Sequence, residues 1–462
     1  MIERLESLGM LVRECTLPGE AKAQEVWPAH ANAMQVSKDR WLITYATRGF
    51  RFMDDDRSAI YQLRAGRPDG PRIKEGWLSR SFAGWDPLGD GLLCFKQHGH
   101  PVAFGVPKGA LIGGRRVAHE NVFVAKWRVV GIHDYGPQDD SQFTEEERRR
   151  FTGIVWVSHK HNRRFGWGKG IGQRVEWCQF RLNEREDDID IIQPPAQVRQ
   201  KGHESGPTVC SPVDGQSVAN MNQTFIQASA FNADASEWAD VCHFDGGRIG
   251  ATKYAFNRER GLYEWVATGP LAGTEERGMF EASLARVGDS WVVAGRPRRN
   301  GRRGRGAEWF RTDDPFRRLG EPVYTPTPNA DTPIAVFMAA DGALRLFAND
   351  ETHRLPNRGG RNPLYMWDVN PDRWAITNQR VVFDTFAAGL PIRPEVDPGV
   401  DMCKLPPHAG GRAQLVIYRV RTRALTIPYL EGVVTPSEVA ALGVYYSKFT
   451  YTEEYPARWR FA

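Results

Sequence analysis

Long apolar runs are missing from this 462-residue chain. No segment approaches the roughly 20 apolar residues that span a bilayer, and the opening MIERLESLGMLVRECTLPGE alternates charge with apolar residues and has no h-region. A soluble, cytoplasmic protein with no membrane partner is expected, or a secreted one if a leader has been removed. Cysteine is scarce as well. Cys15, Cys94, Cys178, Cys210, Cys242 and Cys403 lie far apart and form no CxxC pair, so no disulfide framework is implied. His203, Cys210, Cys242 and His243 come nearest to a ligand set, but their spacing fits no zinc signature, and separate buried cysteines are the simpler account. No cofactor is required on this reading, and a structural metal ion is the alternative. Net charge is small, at +5. The one dense basic run, GRPRRNGRRGRG at 295–306, lacks interleaved aromatics, so it reads as a solvated or anion-facing loop and no nucleic-acid partner is expected.

What the chain has in quantity is punctuation. Glycine at 46, proline at 30 and tryptophan at 15 match many short strands joined by tight turns. A repeat emerges once strands are taken with their turns. Residues 31–48, 280–296, 332–350 and 401–421 each give a strand, a polar turn such as Lys-Asp, Gly-Asp or Asp-Gly, and a second alternating strand. A third strand ending on a charged turn follows, as in SAIYQLRAGRPDG, GAEWFRTDDPF and NPLYMWDVNPDR, and then a fourth such as EPVYTP or QRVVFD. Less regular copies are expected at 92–135, 153–198 and 223–269. Seven units of about 45 to 65 residues predict an all-β, seven-bladed β-propeller occupying residues 1–462 as one domain. Strand 443–454 is expected to close the ring with the N-terminal segment.

The chemistry concentrates in HGHPVAFGVPKGALIGGRRVAHENVFVAKWR, residues 98–128. Here His98, His100 and His119 fall beside two strand-like segments, with the histidines expected at strand ends. Imidazole suits proton transfer near neutrality, and Arg115, Arg116 and Lys126 suggest an anionic substrate. In a propeller the inner strands converge on a central channel, so His30, Arg48, Arg174, Asn222, Glu281 and Arg296 are further candidates. TRGFRFMDDDRSAIYQLR sets arginines against three aspartates and reads most simply as a salt-bridged turn.

Together with that turn and WFRTDDPF, the histidine-rich stretch resembles the seven-bladed propeller group of ulvan lyases, L-rhamnose-α-1,4-D-glucuronate lyases and related α-L-rhamnosidases. The resemblance extends from about His30 to the terminal YPARWRF. It implies an oligosaccharide or polysaccharide substrate containing rhamnosyl-glucuronate. Cleaving a 4-linked uronate by β-elimination requires removal of the C5 proton, which is acidic only when the neighbouring carboxylate is neutralised. By the resemblance, His98 and His119 are the histidine pair around the base, and Arg174 is the neutralising arginine with Arg296 as a second contact. The expected acid, a tyrosine, is missing: GIVWVSHKHNRRFGWGKGIGQR has none. His159 in that stretch, or Tyr254 from another blade, would have to serve. The rhamnosidase relatives imply hydrolysis centred instead on His30. A conventional sialidase is disfavoured because no S-x-D-x-G-x-x-W turn recurs and His30 stands where an arginine would be expected. A propeller that binds a glycan or protein without chemistry is the alternative from a different class.

Overall fold

The computed structural model describes residues 1–17, 26–49, 56–80, 82–85, 93–107, 109–112, 115–116, 121–133, 173–218, 221–224, 230–231, 236–244, 247–273, 277–299, 302–303, 306–326, 332–350, 361–406, 411–422, 434–455 and 460–461. These described residues form an all-β propeller of six blades. Blade 1 is built from strands Val26–Ser37, Arg40–Gly49, Asp56–Ala65 and Arg72–Ser79. Blade 2 runs Leu93–Phe104, Phe123–His133, Gln173–Leu182 and Ile189–Gln197 outward, with Phe82–Trp85 added at its inner edge. Blade 3 has Met221–Thr224, Glu237–Phe244, Arg248–Asn257 and Leu262–Thr268. Blade 4 has Arg277–Val287, Ser290–Arg299, Ala307–Thr312 and Val323–Thr325. Blade 5 has Ala335–Met338, Leu344–Asn349, Leu364–Asn370 and Ala375–Phe383. Blade 6 is a composite of Pro398–Lys404, Gly411–Thr422 and Gly443–Tyr455, finished by the N-terminal strand Ile2–Val12.

The expected blade number was one too many, and blade 2 shows why. Units anticipated at 92–135 and 153–198 are halves of a single sheet, in which Phe123–His133 pairs on one side with Leu93–Phe104 and on the other with Gln173–Leu182. The intervening chain, 134–172, is long enough to have been counted as part of another blade, and it lies outside the described residues. The hairpins themselves follow the turn chemistry. Ser37 pairs with Arg40 across Lys38–Asp39, and Val287 pairs with Ser290 across Gly288–Asp289, where Gly288 takes φ +59° at no steric cost. The anticipated ring closure is also present: Ile2–Val12 pairs antiparallel with Gly443–Tyr455.

Apolar packing falls into one cluster per seam. Met34, Leu42 and Tyr61 of blade 1 meet Phe123, Trp127 and Phe180 of blade 2. Val102 and Trp177 meet Trp238, Tyr254 and Trp265 between blades 2 and 3. Corresponding clusters fill the seams of blades 3 and 4, 4 and 5, and 5 and 6, while Ala31, Ile43 and Tyr45 join Ile417, Val444 and Tyr446 between blades 6 and 1. Each blade therefore alternates less than a surface sheet would, because both faces are covered by neighbours. No described helix is long and apolar enough to cross a membrane.

Polar groups inside seams are satisfied there. Lys126 of blade 2 donates to Asp240 Oδ2 of blade 3 at 2.6 Å and to Tyr254 Oη at 2.8 Å, with its ammonium 4.7 Å from the Tyr254 ring centroid. Thr252 also donates to Asp240. Lys126 and Asp240 are both buried, so the pair holds only while complete. Asp240→Ala should destabilise the protein by about 3–5 kcal/mol in urea unfolding, because it strands a buried ammonium, whereas Lys126→Met combined with Asp240→Leu should recover most of that loss.

Candidate functional site: the bulged inner strands

A propeller's inner strands must present side chains near its axis while keeping their ladder to the second strand. Here the ladder slips at an equivalent place in blade after blade. In blade 1, Ala29 pairs with Ala46 but Asn32 with Thr44; in blade 4, Phe280 pairs with Arg296 but Ser283 with Ala294. Blade 2 repeats this between Gly99↔Arg128 and Val102↔Lys126, and blade 6 between Asp401↔Arg419 and Lys404↔Ile417. Each of these four inner strands thus holds one extra residue, a β-bulge, which turns the backbone and re-aims what it carries, whereas the described inner strand of blade 5 pairs without a shift. Blade 3 bulges likewise at Asn222, between Met221↔Phe244 and Gln223↔His243.

The first residue of each bulge is His30, His100, Asn222 and Glu281 in blades 1 to 4. Four sequence-predicted candidates therefore occupy one structural position. His30 and Glu281 share a backbone state as well, with φ of 51° and 50° in the left-handed region. That conformation costs a residue with a Cβ about 1–3 kcal/mol, and such strain persists only when the surroundings enforce it. Blades 1 and 4 are opposite one another in a six-membered ring. The backbones of His100 and Asn222 are placed by the ladder, and their side chains lie outside the described residues.

Arginines follow the same register. Arg128, Arg296 and Arg419 each pair with the residue just before a bulge, in blades 2, 4 and 6. Arg296 Nη1 meets Glu281 Oε2 at 2.8 Å, both groups buried. Arg419 forks onto Asp401, with Nε and Nη2 at 2.9 and 2.8 Å from Oδ1. Its Nη1 lies 2.7 Å from His30 Nε2 across the seam. Since a guanidinium only donates, Nε2 must accept, so His30 is the neutral tautomer with its proton on Nδ1. Asp401 also takes Arg361 Nη1 at 2.5 Å and Arg421 Nε at 3.1 Å. Three guanidinium groups thus converge on one carboxylate. Burial alone would push the Asp401 carboxyl up; Arg419, Arg421 and Arg361 outweigh it and hold the group well below the carboxylate range.

Other candidates are placed differently. His98 lies within strand Leu93–Phe104, not at its end, because the bulge at His100 lets the strand continue. His98 and Arg174 are both register partners of Val129, which sets them at the same level of blade 2. Arg48 is in the second strand of blade 1, opposite Trp27 and Asp56. His119 and His159 lie outside the described residues, as does the Arg/Asp turn at 50–55. Tyr254 is away from the inner strands, wholly buried in the seam of blades 2 and 3, where it stacks on Trp238 at 3.9 Å between centroids and accepts from Lys126. Burial, with Asp240 and Cys242 nearby, raises its pKa well above the ordinary tyrosine value.

No group of three or more His, Cys, Asp or Glu side chains converges as a metal site among the described residues. Cys242 Sγ faces Asp240 and Thr252, whereas His243, adjacent in the strand, accepts from the Ala282 amide at 3.4 Å. Successive strand residues point to opposite faces, so these two do not share a ligand shell. Burial, with Arg128 nearby, takes the His243 imidazole down to about 3, so it is neutral at any working pH.

Sequence reasoning missed Asp401, Arg361, Arg419, Arg421 and Lys404. The available signal was the density of charge in VDMCKL and YRVRT, since strands covered on both faces rarely carry buried charge without a task.

No family model matches the chain, and no curated protein matches it. Among solved structures, 97% of the chain is similar to the whole of a protein of unknown function from Dyadobacter fermentans, at TM-score 0.50 and 10% identity. It is also similar to a Trypanosoma rangeli sialidase, at TM-score 0.46 and 9% identity over 92% of this chain and 53% of that one. A third is the GH93 α-L-arabinofuranosidase of Fusarium graminearum, at TM-score 0.45 and 8% identity over 96% and 98%. The chain spans about half the length of the sialidase. Likeness at these identities bears on fold alone.

The Asp401 cluster has a pH signature. Because its folded-state pKa lies below the unfolded value of about 3.9, its contribution is complete above that value and is lost as pH falls through the folded pKa. Asp401→Asn should cost about 3–5 kcal/mol at pH 7, and the gap between variant and parent in urea midpoint should close progressively below about pH 4.

Proposed function

We propose that this protein is a carbohydrate-active enzyme that takes a uronate-bearing glycan, of the rhamnosyl-glucuronate type, where the bulged inner strands converge, and cleaves it beside the uronate. The observation that carries the reading is the recurrence of one bulge presenting His30, His100, Asn222 and Glu281, backed by arginines at matched positions in alternate blades. Titratable groups on a rigid sheet, held in strained backbone and beside permanent cations, are the usual furniture of a site for anionic substrate.

In the elimination we favour, arginines neutralise the uronate carboxylate, which makes the C5 proton acidic. His98 or His119 removes that proton, the electron pair forms the C4–C5 double bond, and the O4 leaving group departs with a proton from His159. Arg174, level with His98 in blade 2, suits the neutralising role. Tyr254 is not assigned the acid's role, since its hydroxyl is sealed into a seam. His30, whose Nε2 accepts from Arg419, is assigned a substrate-binding role in this scheme and not that of the base. No cofactor enters the scheme.

One observation favours hydrolysis as the second reading: Glu281 stands opposite His30 in the same strained state, and elimination has no need of that carboxylate. Incubation with rhamnosyl-glucuronate oligosaccharides separates the two. Elimination yields an unsaturated uronate that absorbs in the ultraviolet, whereas hydrolysis yields free rhamnose without it. We expect the ultraviolet product, and His98→Ala should lower kcat/KM by about 100-fold or more with little change in Tm. Free rhamnose alone would select hydrolysis, and no product from any uronate glycan would reject the enzymatic reading.

A further inference from the structure

Lys404 is the anomaly of blade 6. It ends the inner strand Pro398–Lys404, is 2% exposed, and its Nζ has no hydrogen-bond partner among the described residues. Among the described residues the other buried lysine of a seam, Lys126, has both a carboxylate and a phenol. A buried ammonium without a counter-charge is costly, and such a group normally sheds its proton instead.

Register locates the side chain. Lys404 follows the bulge, opposite Ile417, as Asn32 follows the bulge opposite Thr44 and Ser283 follows it opposite Ala294. Both of those residues reach the next blade: Asn32 donates to the Ala103 carbonyl at 3.1 Å, and Ser283 accepts from the Val336 amide at 2.9 Å. The same position in blade 6 turns Lys404 toward blade 1. That is also the direction in which Arg419 reaches His30. Asp401 pairs with Arg419, two residues along the second strand from Ile417, so it lies on the same face about 7 Å away. The charged and titratable groups around Lys404 are then Asp401 on its own strand, Arg419 and Arg421 on the second strand, His30 on the facing blade and Arg361 before blade 5's third strand. Asp401 is already taken by three arginines.

We propose that the seam between blades 6 and 1 seats the carboxylate of the glycan's uronate, and that Lys404 is its specificity-determining contact, charged only when that carboxylate is present. This rests on the uronate reading above and deepens it. Burial takes the free amine down to about 7, so near pH 8 it is mostly neutral. An arriving carboxylate supplies the missing counter-charge, the amine takes one proton from solvent, and the four-carbon stem lets the ammonium lean out of the seam to meet it. Uronate binding and proton uptake are thereby linked, whereas a neutral sugar of the same shape gains nothing from Lys404.

The test is titration calorimetry at pH 8 with sodium glucuronate and with glucose, in two buffers of different ionisation enthalpy. Parent protein should bind glucuronate in preference to glucose and take up a large fraction of one proton. Lys404→Met should lose the uptake and bind glucuronate about 10-fold or more weakly, and Lys404→Arg should bind with no uptake. Preference for glucuronate with uptake unchanged in Lys404→Met, or with no uptake in the parent, would overturn the assignment of Lys404 while leaving the uronate reading intact. Equal response to glucuronate and glucose, or to neither, would overturn both.

Discussion

Everything in this molecule depends on burying both faces of every sheet. A four-stranded antiparallel sheet alone has two faces and two edges to protect, and the ring solves the first by giving each blade two neighbours. The last seam can form only if the ring is closed, and here the closing bond is the ladder between Ile2–Val12 and Gly443–Tyr455. The N-terminal strand therefore completes a blade whose other strands come from the far end of the chain. Once the ring is shut, side chains on the faces of each blade are packed between neighbours, and a polar side chain there is most stable where it finds a partner within the seam. Lys126 with Asp240 and Tyr254, and Gln179 bonding both the amide and the carbonyl of Tyr263, are the result.

The same closure makes the bulges useful. An unbroken ladder would fix alternate side chains toward one seam or the other, and leave few aimed anywhere else. In blades 1, 2, 3, 4 and 6 an extra residue breaks the alternation of the inner strand, and it sets residues such as His30 and Glu281 in a conformation that the seam packing on either side enforces. Stability and presentation are thus one design: the ladder resumes at Asn32, Ser283 and Lys404, and the first two immediately lock onto the neighbouring blade.

The sequence made the local units legible. Turn pairs such as Lys38–Asp39 and Gly288–Asp289 identify hairpins because two-residue loops admit few residue types, and the third and fourth strands followed from alternation. The count of blades was not legible, because the third strand of blade 2 returns only after residues 134–172, and no local pattern distinguishes a long excursion from a further irregular blade. Site residues divided in the same way. His30, His100, Asn222 and Glu281 could be chosen from their nearness to inner strands, but their equivalence is a property of register, which depends on pairing and cannot be read along one strand. The charge density of VDMCKL and YRVRT marked Asp401, Arg419 and Arg421, but their convergence with Arg361 could not be read along the chain, because Arg361 comes from a different repeat and only ring geometry brings it in.

Lys126 and Lys404 show how such a fold separates structural from functional charge. Both are lysines on the inner half of a blade, buried in a seam, and both sit beside the same kind of bulge. Lys126 is surrounded by an acceptor, a phenol and two aromatic faces, so removing any one of them leaves a defect and adding a ligand offers it nothing. Lys404 is the converse. Asp401, the carboxylate on its own strand, already holds three guanidinium groups, so a charged amine there costs stability. A buried amine without a partner makes physical sense where a ligand brings the missing charge, which is the role proposed for Lys404 in the seam of blades 6 and 1.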